Sequence, residues 1–239
     1  MDRAYSQIFW SACLLTSVFT SQLAAAGEPK QETFTPRQLL ARMSMQYANS
    51  KSYRDSGILE TTYIRADGTK TIEKKPFSTV FVRPERFRFE HQSGPEHYLI
   101  WSDGKNVRRL AQSWDREPPV RKPASLDEAV EASLSVARSM VFGAPVLLMP
   151  GKFQMRPLTA LERAARIEDG KLGKDDCFRI AGDYFDSPTV IWIDKKTFLI
   201  RRIDSSMQNK TFRTEDTVTF EPIINQKIPA KMLQFDLPK

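Results

Sequence analysis

The sequence predicts an α+β fold built on a curled antiparallel β-sheet. Most of the chain falls into short runs of alternating apolar and polar residues, the mark of a strand with one buried face. Turn signals such as Ala66-Asp67-Gly68 and Asp103-Gly104-Lys105 join these runs in sequence, so neighbours pair as antiparallel meanders. The strands number roughly ten, more than usually stay flat in an open sheet. Clear helical patterns stand before the first strand group and between the two groups.

In chain order, Asp2-Arg3, the apolar run Ile8 to Phe19 and the small residues ending Ala24-Ala25-Ala26 make a three-part secretory signal. The run is shorter than a spanning helix needs. The domain reading is therefore a cleaved signal peptide over 1–26 and a single domain over 27–239, exported to the periplasm. Gly27 to Thr33 is a polar leader. Thr35 caps a helix with Pro36 at its first position, and Leu39, Leu40, Met43 and Tyr47 fall on one side of it to about Ser50. Strands follow over Tyr53 to Ile64 and from about Thr69 into Phe77–Glu90.

That last stretch, FSTVFVRPERFRFE, carries the most information. Arg83-Pro84 breaks it into two strands, since proline cannot donate a ladder hydrogen bond. Strict alternation puts Phe77, Thr79, Phe81 and Arg83 on one face, and aligns Phe87 with Phe89 beyond the corner. An aromatic face ending in an arginine requires acceptors from something lying over it. Gln92 to Pro95 turns the chain into HYLIWS, and the strand from about Asn106 to Ala111 ends near Trp114.

Glu117 to Pro123 is a proline-rich connector. Ser125-Leu-Asp-Glu128 is a capping box opening a helix to about Phe142, closed by Gly143 and Pro145, with Leu126, Val130, Leu134 and Ala137 or Val141 as its stripe. Val146 to Met149 is too short for an ordinary helix and reads as a buried connector or a flap over an apolar site. Leu158 to Ile167 carries a helical turn or two. Strands resume with CFRIAG from Asp175, then Thr189 to Asp194, Phe198 to Asp204, Thr211 to Ile224 and Lys231 to Asp236.

The net charge of +7 raises the possibility of nucleic acid binding, but the basic residues come as scattered pairs with no basic helix. Neighbours on a strand point to opposite faces, so such pairs build no stripe, and nucleic acid is excluded as a partner. Cys13 lies in the signal, which leaves Cys177 alone in an apolar strand as an inert buried thiol. His91 and His97 flank a turn beside Glu90 and Glu96; surface histidines are the expectation, a weak metal site the alternative. No phosphate loop or nucleophile motif occurs, so the chain reads as a non-enzyme with no cofactor and no metal. Phe77, Phe81, Phe87, Phe89 and Trp101 fit either an ordinary core or the lining of a lipid-binding cavity.

Several of these pieces together resemble the LolA-type periplasmic lipoprotein carriers, and more closely a family of predicted periplasmic proteins related to them. They are Arg83-Pro84 followed by Phe87-x-Phe89, Ser102 to Lys105, Pro145 with Leu147-Leu148, and Trp192-Ile193-Asp194. Phe198-Leu199-Ile200 with Ile203 and the terminal Phe235-x-x-Pro238 complete the set. The resemblance implies an incomplete β-barrel (LolA-like) closed by a lid of helices over a hydrophobic cavity. Phe77, Phe81, Arg83, Phe87, Phe89, Trp101, Leu147 and Leu148 would bind the ligand, with Arg83 gating the lid. The implied ligand is a lipid or acylated lipoprotein and the implied state a monomer, with an inner- or outer-membrane protein as a further partner. A sensor or protein-interaction module of the same fold is the alternative. The chain departs from the carriers in ending almost at Pro238 and in its longer central helix.

Overall fold

The computed structural model describes residues 34–94, 96–112, 120–133, 140–209 and 211–236. The signal, the leader, Pro95, Trp114, the start of the connector, Leu134, Ala137 and Pro238 lie outside them. No helix among the described residues is long and apolar enough to cross a membrane.

Helix α1 spans Pro36–Asn49 and begins as its sequence demands. The Thr35 hydroxyl accepts from the Gln38 amide, and the Gln38 side chain accepts from the Thr35 amide, satisfying two otherwise orphaned donors. Leu39, Leu40, Met43 and Tyr47 are its buried stripe.

Two meanders make the sheet. The first comprises β1 (Ser52–Arg65), β2 (Lys70–Val82), β3 (Arg86–Ser93), β4 (Glu96–Asp103) and β5 (Val107–Gln112). The second comprises β6 (Glu162–Leu172), β7 (Asp175–Tyr184), β8 (Ser187–Asp194), β9 (Ile200–Gln208) and β10 (Phe212–Phe220). The spatial order is β5-β4-β3-β2-β1-β10-β9-β8-β7-β6, with the two-residue β11 (Ile223–Ile224) also on β1. Every pairing between these strands is antiparallel, and β1 and β10 join the halves in the middle. The first and last strands of the order, β5 and β6, do not pair with each other, so the sheet stays open.

The helices α1, α2 (Leu126–Glu131) and α3 (Gly143–Leu148) contribute to one apolar cluster with a single face of this sheet. On that face lie Tyr53, Leu59, Phe77, Phe81, Phe87, Phe89, Ile100, Ile191, Ile203, Val218 and Phe220. Burying each large side chain is worth about 1.5–3 kcal/mol. Gly57 sits opposite both Phe77 and Phe220, and a Cβ there would fall 2.3 Å from the Phe77 ring and 2.3 Å from the Thr219 carbonyl.

Three expectations about local structure need correction. Leu158–Ala160 is a single 3-10 turn, and Glu162–Leu172 is the edge strand β6, not further helix. Its charged residues suit an exposed edge strand, whose register shifts twice against β7. Lys231 to Asp236 is no strand: Ala230–Leu233 forms a 3-10 turn against the outer face of β2 and β3. Finally, the helix opened by Ser125 stops at Glu131, with Ala132 and Ser133 in a turn; Met140 and Val141 are helical again and end at Phe142 as expected, but Gly143 and Pro145 then lie inside a further helix, α3. Pro145 is the third residue of α3, where an amide has no intrahelical acceptor anyway, and the first helical bond comes from Val146 to the Phe142 carbonyl.

Candidate functional site

The β2–β3 corner brings seven of the eight expected site residues together. Register pairs Phe81 with Phe87 and Thr79 with Phe89. Phe77, Phe81, Phe87, Phe89, Leu147 and Leu148 are all buried in the cluster beneath the helices. The space there is filled by side chains, with Phe89 and Phe142 centroids 4.5 Å apart and Phe77 and Phe220 5.4 Å apart.

Trp101 is the exception. It pairs with Arg88, whose side chain lies on the opposite face from Phe87 and Phe89, so Trp101 faces outward. Its indole Nε1 donates to the Leu233 carbonyl at 2.8 Å, and its ring packs 5.7 Å from Phe235. Trp101 therefore anchors the C-terminal segment and does not line the aromatic face.

Arg83, at the end of that face, meets the acceptors its position requires. Its Nε donates to the Ser50 carbonyl at 2.8 Å. Its Nη2 lies 2.5 Å from the Ala48 carbonyl, 3.0 Å from that of Leu148 and 3.3 Å from that of Tyr47. Ala48 lies in the last turn of α1 and Leu148 ends α3, where carbonyls lack an intrahelical donor, whereas the Tyr47 carbonyl also accepts from the Ser50 amide and hydroxyl at the C-cap. A cation at a helix C-terminus also complements the macrodipole. One guanidinium thus ties both helix ends to the sheet, its carbon 5.3 Å from the Phe81 ring centroid.

A polar chain runs beneath this latch. The Tyr47 hydroxyl accepts from the Ile200 amide at 3.0 Å. The Tyr53 hydroxyl donates to Asp55 Oδ2 at 2.6 Å, and Asp55 Oδ1 accepts from the Thr79 amide at 2.8 Å. Burial pushes the Asp55 carboxyl up to about 6 and lifts both tyrosines above their usual range. The sequence reading passed over Asp55, although alternation from Tyr53 to Leu59 marks it as an inward position.

The two histidines do not converge. His91 pairs with Phe77 on the helix-covered face, with both ring nitrogens buried and without a hydrogen-bond partner among the described residues, and burial holds it down to about 4. It is not the surface histidine expected. His97 faces the other way, 3.7 Å from Glu90. Among the described residues no group of three or more metal-ligating side chains occurs. Cys177 is buried, and burial pushes its thiol up to about 11.

Sheet, helical cover and latch define a protein with an open antiparallel sheet, covered by helices on one face. The chain belongs to the family of predicted periplasmic proteins DUF2092, whose model matches residues 37–239. That description agrees with the export expected from the leader. None of the curated proteins matches the chain. Among solved structures, a DUF1329 family protein from Desulfovibrio piger is similar at 12% identity, covering 83% of this chain and 98% of that one with a TM-score of 0.35. A LolA superfamily protein from Nitrosomonas europaea is similar at 9% identity over 85% and 99% of the two chains, TM-score 0.26. MucB is similar at 13% identity over 83% of this chain and 62% of its own, TM-score 0.41.

Proposed function

We propose that this protein is a periplasmic binding protein, not an enzyme, that takes the acyl chains of a lipid or acylated lipoprotein between its aromatic face and its helices. The observation that carries this reading is the Arg83 latch. A cover held only by its own core packing has no need of a guanidinium spread over the ends of two helices. Such bonds are worth about 1.5–3 kcal/mol each before water replaces them, enough to hold a cover and few enough to release it. Acyl chains are the fitting ligand because the uncovered surface is formed by Phe77, Phe81, Phe87 and Phe89. Binding requires the helices to move, since that surface is packed in the closed form.

The test is a fluorescent fatty-acid probe titrated into the mature protein and into Arg83→Leu, with hydrogen exchange read over α1 and α3. The expected result is saturable binding that lipids displace, with faster exchange and faster ligand release in Arg83→Leu. Arg83→Lys restores only part of the latch, because a point charge cannot reproduce the guanidinium fork. Absence of probe binding in both the wild type and Arg83→Leu would sink the proposal.

A further inference from the structure

A second site lies on the opposite face of the sheet, independent of the latch. A groove of about 610 Å³ runs between the outer surface of β1 and β2, the segment Glu221 to Ile223 and the C-terminal 3-10 turn. Its volume is in the range of small-molecule sites.

The groove holds one guanidinium without a partner and one with an open donor. The side chain of Arg54, half-buried and placed in register between Val80 and Ile223, makes no hydrogen bond or ion pair with any described residue. Arg201 spends Nη2 on Asp175 at 2.7 Å, while its Nε is buried without an acceptor. A guanidinium withdrawn from water with open donors is costly unless an acceptor arrives. Of the two acids at the groove, Glu221 stays in it and accepts from the Ser56 hydroxyl of the same wall at 3.2 Å, while the Asp55 carboxylate turns to the inner face, where it accepts from Tyr53 and Thr79. The Ser78 hydroxyl, also unpartnered among the described residues, adds a neutral donor. Val80, Ile223 and Met232 supply an apolar wall.

We infer that this groove binds a small organic oxyanion, a carboxylate or phosphate carried on a compact apolar body. The guanidinium forks of Arg54 and Arg201 take the anionic head, since Arg matches both head groups in plane and spacing. The wall takes the body. Arg54 decides affinity, because it alone brings a wholly unused fork.

The test is an NMR titration of the mature protein following the Nε–Hε resonances of Arg54 and Arg201. The probes are phenyl phosphate, benzoate, inorganic phosphate and neutral phenol. Either aromatic anion, or both, should move the two resonances saturably, and the tighter one names the head group. Arg54→Gln should weaken binding roughly tenfold or more, the worth of one charge-assisted contact. Ser78→Asp supplies a carboxylate from the chain itself and should abolish binding while the sheet stays folded, which keeps the test decisive if Arg54→Gln misfolds. Phenol binding as well as the anions, inorganic phosphate binding as tightly as phenyl phosphate, or an unchanged affinity in Arg54→Gln would each overturn the inference.

Discussion

Asp55 makes the stability of this protein depend on pH in a direction opposite to most carboxylates. Its side chain is buried, and its pKa rises from the ordinary 3.8 to about 6 because burial penalises the charged form more than Tyr53 and Thr79 favour it. A raised acid is stabilising while protonated. That contribution is fully present below the unfolded value and is lost as pH climbs through about 6. Converted at 1.36 kcal/mol per unit, the loss is about 3 kcal/mol, most of it between about pH 4 and about pH 7.5. Asp55→Asn carries no charge and escapes it, but it puts an NH2 where one of the two carboxylate oxygens accepts, so it cannot accept from both Tyr53 and Thr79 at their separate positions. One lost bond costs roughly 1 kcal/mol at every pH. Denaturant unfolding of both proteins should therefore show the variant weaker at about pH 4 and stronger at about pH 7.5, the difference moving by about 2–3 kcal/mol. A difference that stays flat across that range would refute the claim that Asp55 is ionised in a dry site.

Two further outcomes test the packing. Gly57→Ala should cost about 1–3 kcal/mol or more in stability, because the new Cβ meets both the Phe77 ring and a backbone carbonyl that cannot retreat; a neutral substitution by thermal unfolding would place the Phe77 ring elsewhere. Trp101→Phe should leave fatty-acid binding unchanged and loosen the C-terminal segment, seen as faster proteolysis near Phe235, since it removes the donor to the Leu233 carbonyl.

Much of this architecture was legible because it is local. Thr35, Pro36 and the spacing of Leu39, Leu40, Met43 and Tyr47 fix α1 without reference to anything distant. The alternation through Phe77 to Arg83 put the arginine on the aromatic face and required acceptors from whatever lies over it, which the Ala48 and Leu148 carbonyls supply. What failed depended on partners far away in sequence. Glu162 to Leu172 has the composition of a helix surface, but β7 offers it a ladder, and propensity is the weaker influence. Trp101 looked inward by its chemistry, while its register against Arg88 turns it outward to a tail more than a hundred residues later. Arg54 and Arg201 gave no signal at all, because only the folded sheet brings β1 and β9 to one groove.

The central position of β1 sets the order in which this chain assembles. Each meander is made of sequential hairpins, whereas the halves meet along a seam in which Thr61 donates to Asp216 across 155 residues of chain. Closing so long a loop costs entropy before any contact repays it, so formation of the seam is the slow event. As the chain emerges into the periplasm β1 can pair with β2 at once, but its other edge stays bare until β10 arrives. That bare edge is the chain's period of exposure to misassembly, and a periplasmic chaperone that covers a single strand edge would suffice to guard it. Pulse-labelled hydrogen exchange should accordingly show β2, β3 and β4 protected before the β1–β10 pair.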